Sequence, residues 1–279
     1  MADPPPDPPH KGEGVIIHGV DFSGAEDAGR RIWISSGVVE GGRLHIIQSR
    51  PACELPGGSR RREAAMGALR TFIEDEPAVV IGLDFPFGLP RPLVAESSWK
   101  EFVLAFNGRY RSAEAFRDIC RTLSARELRR ATDRQAHAPW AAWNWRLYRQ
   151  TYYGIGSVLA PLVREDRVHV LPMDPLDGTR PVLLEICPAS TLRRLGLRGL
   201  PYKGEASLVK RAARQEILDR LVQCRHISLD AAPAARALDD SGGDAVDSIV
   251  AAIAAFEAMA RGPLLPEGAY DQGEGFVYF

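Results

Sequence analysis

The stretch that decides the fold is Val15-Ile-Ile-His-Gly-Val20, which Asp21 follows at once. Its apolar residues are all β-branched, a pattern typical of a buried strand. Ala78-Val-Val-Ile-Gly-Leu83 is a second such run, and it ends in Asp84. An unbroken apolar run is expected of a central strand that is covered on both faces. The two runs therefore predict strands of a buried sheet, each ending in an aspartate.

Further elements place these strands in an α/β fold. Segments 31–36 and 44–48 flank a Gly-Gly turn, which predicts a hairpin built onto the first strand. Segment 181–184 predicts another strand, which ends in Glu185, and residues 275–279 are expected to add a short strand or to pack on the surface. Helical spacing predicts helices over 59–74, 189–196, 205–223 and 244–260, and mainly helical structure over 95–165. Strands and helices in this order are typical of an α/β domain.

The composition narrows the class of protein. Of 279 residues, 45% are hydrophobic and 25% are charged, and the mean hydropathy is -0.16. These values exclude collagen-like, mucin-like and wholly disordered chains. We expect one domain over 15–279, behind a Pro/Asp-rich tail over 1–14 that has no core to bury and is disordered. No signal peptide is recognisable and no apolar run approaches the ~18–20 residues that span a bilayer, which predicts a cytoplasmic protein without membrane contact.

The cysteines and histidines predict structural roles. The four cysteines lie far apart without a C-x-x-C pair, and the six histidines never recur at metal-ligand spacing. A disulfide framework or a zinc site would need closer spacing. Cys187 follows Glu185 by two residues, but no histidine motif accompanies it, so we expect an inert, buried thiol.

Carboxylates end the predicted strands and begin the last predicted helix. Asp21, Asp84 and Glu185 each follow an apolar strand, and Asp244 and Asp247 lie three residues apart on one helix face. Ligands gather at strand ends in α/β sheets. Carboxylates gathered in this way repel one another unless a cation neutralises them, and hard oxygen ligands suit Mg²⁺ or Mn²⁺ better than zinc. Taken singly, each aspartate is equally typical of a turn or a helix cap.

Four motifs occur together in one order: Gly19-Val-Asp21-Phe-Ser-Gly24, Gly82-Leu-Asp84-Phe-Pro-Phe-Gly-Leu-Pro90, Leu184-Glu185-Ile-Cys-Pro188 and Asp244-Ala-Val-Asp247-Ser-Ile-Val-Ala-Ala252. In this order they resemble the family of domain of unknown function 429 (DUF429), predicted nucleases of the RNase H-like superfamily. The resemblance covers roughly residues 15 to 260. It implies an α/β fold with a five-stranded mixed sheet whose first three strands are antiparallel, flanked by helices.

The resemblance also implies a carboxylate metal site like that of RuvC-type resolvases. Asp21 would bridge the metals, Asp84 or Glu185 would complete the set, and Asp244 and Asp247 would close it from the helix. The chain departs from many relatives at Gly243, where they carry a second acid beside Asp244. Segment 95–165 has no counterpart in minimal nucleases and is expected to be a large helical insertion.

An arginine-rich segment suggests a partner. Residues 109–150 contain ten arginines against four acids, whereas the net charge of the chain is -1. Together with the aromatic residues among them, these arginines predict a nucleic-acid surface, with an ordinary solvated helical insertion as the equal alternative. Trp140, Trp143 and Tyr148 are expected in the core. The candidate substrate-binding residues are Ser23, Arg149 and Lys203.

These observations favour a divalent-metal-dependent nuclease that uses Mg²⁺ or Mn²⁺ and a metal-activated water. Two alternatives stay open. One is an actin-like or sugar-kinase-like phosphotransferase, a class that also uses strand-end aspartates but carries Gly/Thr-rich phosphate loops. The other is a non-catalytic binding protein of the same fold. The type of nucleic acid and the oligomeric state, including a homodimer, are open as well.

Overall fold

An open mixed sheet forms the centre of the protein in a computed structural model. The model describes residues 14–76, 79–124, 126–176, 178, 180–224, 226–263, 265, 270, 271 and 273–279. The tail expected to be disordered therefore lies outside the described residues, apart from Gly14. So does the start of the second apolar run, at residues 77 and 78.

Eight strands among the described residues belong to this sheet. They are β1 (Val15–Asp21), β2 (Trp33–Glu40), β3 (Arg43–Pro51), β4 (Val80–Asp84), β5 (His169–Val170), β6 (Val182–Ile186), β7 (Ile227–Leu229) and β8 (Val277–Tyr278). Their order is β5-β6-β4-β1-β2-β3-β7, and β8 pairs with β6. The hairpins β1–β2 and β2–β3 are antiparallel, and all the other pairs are parallel.

The predicted count of five strands is too low. The antiparallel arrangement of the first three strands is as expected. The additional strands have two or three residues each, at the edges of the sheet; β8 lies in the segment 275–279 where a short strand is expected, whereas β5 and β7 are not predicted. Such short segments carry no alternation of apolar and polar residues that a sequence pattern could show.

Helices cover both faces of the sheet. They are α1 (Ala28–Arg31), α2 (Arg62–Glu74), α3 (Trp99–Arg109), α4 (Ala113–Leu123), α5 (Ala131–Gln135), α6 (Tyr148–Tyr153), α7 (Ala160–Arg164), α8 (Pro188–Arg194), α9 (Leu208–Cys224), α10 (Ala231–Asp239) and α11 (Asp244–Arg261). A π-helical turn, Gly154–Leu159, joins α6 to α7. Helices α3 to α7, here called the helical insertion, pack with α2 on one face, and α8 to α11 pack on the other. No helix in the described part of the chain is long and apolar enough to cross a membrane.

Helix α11 lies directly against β1 because glycine stands at the point of contact. A Cβ atom on Gly19 would lie 2.0 Å from the amide nitrogen of Ala252 and 2.1 Å from the carbonyl oxygen of Ser248. On the neighbouring strand β4, a Cβ atom on Gly82 would lie 2.9 Å from the carbonyl oxygen of Ala251. The sequence predicts this approach from the alanines of α11. The helix therefore begins close to the ends of β1 and β4.

Buried serines fix α11 along the sheet. The Ser35 hydroxyl on β2 hydrogen-bonds the Ser248 hydroxyl on α11 at 2.7 Å and the Ser49 hydroxyl on β3 at 3.0 Å. Because a buried hydroxyl without a partner is costly, these bonds favour one position of the helix along the sheet. Asp247, which precedes Ser248, is placed by the same contact.

Candidate active site

Asp21 and Asp84 lie side by side at the ends of two neighbouring parallel strands. The register pairs Asp21 of β1 with Asp84 of β4. Burial, and after it the negative charge of Asp247, raise the pKa of Asp84 to about 7. The positive charge of Lys203 and a hydrogen bond with Asp21 offset part of that rise. The two carboxyl groups therefore hold a proton at a pH where an exposed aspartate has lost its own.

Asp247 joins them from the first turn of α11, where it is held on both oxygens. The Tyr202 hydroxyl donates a hydrogen bond to Oδ1 at 2.7 Å, and the Lys203 ammonium pairs with Oδ2. The side chain of Asp247 is 4% exposed, whereas that of Lys203 is 48% exposed. Burial and the charge of Asp247 raise the pKa of the Tyr202 hydroxyl, which keeps it protonated as a donor.

The turn that carries Tyr202 and Lys203 is fixed from several sides. Gly243, at the start of α11, has a φ of +81°, and a Cβ atom there would lie 2.8 Å from Cγ of Lys203. Glycine adopts this left-handed conformation without strain and leaves room for the lysine. The buried Arg214 donates a hydrogen bond to the carbonyl oxygen of Tyr202 at 2.8 Å, and the amide of Gly204 donates to Ser241 at 3.0 Å.

Asp244 is the fourth aspartate at this place. Burial, and after it the charge of Asp240, raise its pKa to about 6. Asp240 caps α11, since its carboxylate accepts hydrogen bonds from the amides of Gly242 at 3.1 Å and Ala245 at 2.9 Å. Capping is thus the role of Asp240, whereas the charge of Asp244 helps to raise the pKa of Asp21. We call Asp21, Asp84, Asp244 and Asp247 the aspartate cluster.

The aspartate cluster carries more negative charge than Lys203 neutralises. Burial raises the pKa of Asp21 well above its ordinary value. The charge of Lys203 acts against this rise, and the charges of the other three aspartates add to it. Partial loss of hydration lowers the pKa of Lys203, but the attraction of Asp247 and Asp21 outweighs it, so the pKa of Lys203 is raised. The site is therefore built to hold a proton or a further cation.

Glu185 lies apart from the aspartate cluster in a buried ion-pair network. Arg130 donates to Oε2 of Glu185 at 2.8 Å and also contacts Oε1. The same guanidinium pairs with Asp133 at 2.7 Å, and the amide of Phe87 donates to Oε2 of Glu185 at 2.9 Å. Both oxygens of Glu185 are thus engaged. Its charge still reaches Asp84, whose pKa it helps to raise.

The other candidate residues have partners of their own. Ser23 accepts a hydrogen bond from the amide of Ala25 at 3.3 Å, as in a turn, and Arg149 pairs with Glu114 at 3.0 Å on an exposed surface. Lys203, by contrast, lies within the site. The helical insertion comes close to the aspartates through Gln150, whose side-chain amide donates to the carbonyl oxygen of Asp84.

Residues near the site that sequence patterns did not assign are Tyr202, Gln150 and Arg130. Tyr202 could have been identified from the sequence, because it is adjacent to the candidate residue Lys203. No sequence pattern could have identified Gln150 and Arg130, because their partners are far away in the chain. Gln150 contacts Asp84 at a separation of 66 residues, and Arg130 contacts Glu185 at a separation of 55 residues. Arg130 in particular belongs to the arginine-rich segment that favours a surface, yet it is 1% exposed.

Cys187 and His18 show the properties expected of structural residues. Cys187 is half-buried rather than buried as expected, and loss of hydration raises the pKa of its thiol to about 12, which keeps it protonated. Burial lowers the pKa of His18 to about 4, and its ring hydrogen-bonds the Ser36 hydroxyl at 2.8 Å. Of the aromatic residues expected in the core, Trp143 and Tyr148 are buried, but Trp140 is 36% exposed. The expectation for Trp140 is therefore wrong; its half-exposed ring lies beside the Arg146 guanidinium, 4.8 Å from the ring centroid.

The described residues do not form a finished metal site. Within the ranges that the structure describes, no three histidine, cysteine, aspartate or glutamate side chains are positioned to hold one ion together. Cationic side chains occupy two of the carboxylates in question, since Lys203 pairs with Asp247 and Arg130 with Glu185.

The family model described as protein of unknown function (DUF429) matches residues 19–270. The chain belongs to this family. The matched range includes every residue of the aspartate cluster and Lys203. Neither a curated protein nor a solved structure matches this DUF429 protein.

Proposed function

We propose that this DUF429 protein is a divalent-metal-dependent nuclease with an RNase H-like fold. The observation that carries the proposal is the aspartate cluster, in which residues from β1, β4 and α11 meet around Lys203. The net charge of this cluster is negative when its carboxylates are ionised. Chemistry on phosphodiesters commonly uses such carboxylates to hold metal ions beside the reacting phosphate.

The arrangement of the central strands supports the fold assignment. Strands β3, β2, β1, β4 and β6 lie in this order, with the first three antiparallel and the last two parallel to β1. The antiparallel arrangement of the first three strands agrees with the resemblance, within a sheet of eight strands among the described residues. Asp21 ends its middle strand and Asp84 ends the next one.

The donor set fits Mg²⁺ or Mn²⁺ in its chemistry. Carboxylate oxygens are the ligands that these hard cations prefer. Burial, and after it the charges of the neighbouring aspartates, raise the pKa values of Asp21 and Asp84, and a bound cation would relieve both effects. Asp21, Asp84 and Asp247 would hold the ion, with Asp244 beside them, once Lys203 has released Asp247 and the carboxylates have moved closer together than they stand in this structure. When bound, the metal would supply an activated water and positive charge at the leaving oxygen. Glu185 would stay in its ion pair with Arg130.

The protein's own side chains would prepare the site. Asp21 and Asp84 share a proton near neutral pH, and they would release it when a cation arrives. Tyr202 holds the orientation of Asp247 through Oδ1. Lys203 places a half-exposed positive charge at the same point, where it would attract the phosphate of a nucleic acid.

The test is cleavage of a labelled panel in the presence of Mn²⁺. The panel contains single- and double-stranded DNA, RNA, a hybrid and a four-way junction. Wild-type protein is expected to cut at least one of them, and Asp21→Asn is expected to abolish cutting. Asp219→Asn, which changes an exposed carboxylate on α9 that accepts from Gln215, is the matched control and should cut normally. Equal cutting by wild type and Asp21→Asn would reject the proposal.

A calorimetric Mn²⁺ titration gives a second readout without any substrate. Wild type and Asp219→Asn should bind Mn²⁺ and release protons, and Asp21→Asn and Asp84→Asn should bind Mn²⁺ much more weakly.

ATP is added to the cleavage panel as a further substrate, separately from the titration. Phosphate transfer from ATP without cutting of nucleic acid would favour the actin-like alternative. Binding of nucleic acid without any cutting would favour the non-catalytic one.

A further inference from the structure

A second feature of the molecule is a cleft of about 440 Å³ between the helical insertion and α8. We call it the arginine cleft. Its lining consists of Arg129, Arg134, His137, Ala138, Pro139, Trp140, Arg193 and Arg198. Four of these eight side chains are guanidinium groups and none is a carboxylate. A cleft of this kind favours an anionic ligand.

Two of the arginines are held in place by the backbone. Arg129 donates to the carbonyl oxygens of Ala138 and Pro139, each at 2.9 Å. Arg134 donates to the carbonyl oxygen of Arg129 at 2.6 Å. These partners are neutral, and neither guanidinium has an ion pair among the residues that the structure describes, so both keep their positive charge for a ligand. The hydrogen bonds reduce the entropy that the side chains would lose on binding a ligand.

The other two arginines come from the opposite wall. Arg193 is near the end of α8, and Arg198 follows in the next loop. Both are exposed, and neither has an ion pair or a side-chain hydrogen bond in the described ranges. A guanidinium that donates no hydrogen bond within the protein has all five of its N–H groups available to donate to phosphate oxygens.

The arginine cleft is connected to the aspartate cluster through the buried ion-pair network. Arg129 precedes Arg130, which binds Glu185 at the end of β6. Helix α8, which carries Arg193, begins directly after that strand. Glu185 in turn pairs in register with Leu83, the residue before Asp84. One wall of the cleft is therefore a single residue away from the network that reaches the end of β6.

The shape and lining of the cleft indicate what it holds. Its volume is within the range of small-molecule sites and accommodates a unit the size of one nucleotide. Trp140, 36% exposed, provides a ring at the wall, and Arg146 lies over it and over the exposed Trp145 at 4.8 Å. Arginines beside aromatic rings are typical of surfaces that bind unpaired nucleotides through phosphate and base.

We propose that the arginine cleft binds phosphate groups of a single-stranded nucleic acid whose chain continues to the aspartate cluster. The proposal rests on the proposed function, and it names the part of the protein that holds the substrate away from the cut bond. Arg193 and Arg198 contact phosphate oxygens from one wall and Arg129 and Arg134 from the other. Trp140 provides the face for a neighbouring base.

The test measures binding and needs no cleavage. Fluorescence anisotropy follows a labelled single-stranded oligonucleotide with wild-type protein in EDTA over a series of salt concentrations. The double variant Arg193→Gln/Arg198→Gln should bind about tenfold more weakly, and the slope of log K against log salt should fall by roughly 1.4, about 0.7 for each lost phosphate contact. The matched control is Arg211→Gln/Arg220→Gln, which removes the same charge from arginines of α9 that pair with Asp239 and Glu216.

Each outcome decides the proposal separately from the nuclease activity. Selective loss of binding in the cleft variant supports the cleft, even if no nucleic acid is ever cut. Equal binding by both double variants overturns it, and so does an absence of binding by wild type. A mononucleotide that displaces the oligonucleotide at equal concentration would also overturn it, because a chain of phosphates should bind more tightly than one unit. If the cleft variant cuts nucleic acid and also binds it normally, the proposed nuclease function stands, but the proposal that the arginine cleft binds the substrate is rejected.

Discussion

The Tyr202 hydroxyl donates a hydrogen bond of 2.7 Å to Oδ1 of Asp247, while Lys203, the next residue, pairs with Oδ2 of the same carboxylate. One short turn thus engages both oxygens of a buried aspartate. This turn is itself bound by Arg214 and Ser241. The orientation of Asp247 toward Asp21 and Asp84 therefore depends on a loop that is distant from it in sequence.

We expect Tyr202→Phe to lower the free energy of unfolding by about 1.5–3 kcal/mol, since a hydrogen bond to a charged group is lost. Urea denaturation near neutral pH measures the change. Tyr278→Phe is the matched control, because the Tyr278 hydroxyl donates at 2.7 Å to the neutral carbonyl oxygen of Pro263. Its loss should cost only about 0.5–1.5 kcal/mol. Equal losses in both variants would show that the Asp247 bond has no special strength.

The raised pKa of Asp84 makes the stability of the metal-free protein depend on pH. The folded protein keeps a proton on Asp84 up to a pH of about 7, whereas the unfolded chain loses it near the ordinary value of 3.8. Between these values the folded state binds more protons, so the contribution of Asp84 to stability declines as the pH rises. We expect Asp84→Asn to be as stable as wild type below this interval and more stable above it, by up to ~4 kcal/mol.

Urea denaturation in EDTA across this pH range measures the difference between the two proteins. Asp219→Asn, whose carboxylate is exposed, is the control and should follow wild type at every pH. Mn²⁺ should stabilise wild type most at the upper end of the range, where the carboxylates are ionised. A constant difference between wild type and Asp84→Asn at all pH values would contradict the assignment of the proton to this pair.

Glu185 and Asp21 should respond in opposite ways to neutral substitution. Glu185→Gln removes the partner of the buried Arg130 and should lower the free energy of unfolding by about 3–5 kcal/mol, with Mn²⁺ affinity of the folded protein unchanged. Asp21→Asn relieves repulsion among the aspartates, so it should keep or raise stability and lose Mn²⁺ affinity. Denaturation and calorimetric titration of both variants measure these effects. Loss of Mn²⁺ binding in a stably folded Glu185→Gln protein would make Glu185 a ligand after all.

The contact of α11 with β1 leaves no room for a side chain at Gly19. We expect Gly19→Ala to destabilise the protein by at least ~3 kcal/mol, because its methyl group would meet backbone atoms at 2.0 and 2.1 Å. Gly67→Ala is the control within α2, where the nearest atom is 4.0 Å away, and alanine should stabilise that helix by up to ~1 kcal/mol. Thermal denaturation of the two variants gives the comparison. A melting temperature for Gly19→Ala near that of wild type would contradict the close packing.

The sequence predicts the main strands and their ends because the signal is local. Apolar runs mark β1, β4 and β6, and an acid marks the end or near-end of each. The alanines of α11 likewise predict its close approach. The edge strands β5 and β7 escape prediction because their partners, rather than their own residues, make them strands. Strand β8 lies in the segment 275–279 where a short strand is expected.

The site is predictable only in part for a related reason. Strand ends and helix spacing identify Asp21, Asp84 and Asp247 as candidate site residues. They do not predict which carboxylate pairs with a lysine or arginine side chain. Arg130 pairs with Glu185, which lies 55 residues later in the chain, and Lys203, in the loop before α9, pairs with Asp247. Pairing between distant charges depends on the folded geometry, which periodicity does not contain.

The position of α11 on the sheet also orders events during protein synthesis. Ser35 and Ser248, which hydrogen-bond in the folded protein, are 213 residues apart in the chain. The ribosome therefore completes β1 to β6 long before the helix that covers Gly19 and Gly82 exists. A nascent chain that stalls before α11 emerges leaves the apolar surface of β1 and β4 that this helix covers exposed, and it lacks Asp244 and Asp247. The aspartate cluster is thus completed only when α11 packs on the sheet, so a translation product that ends before α11 lacks the complete cluster.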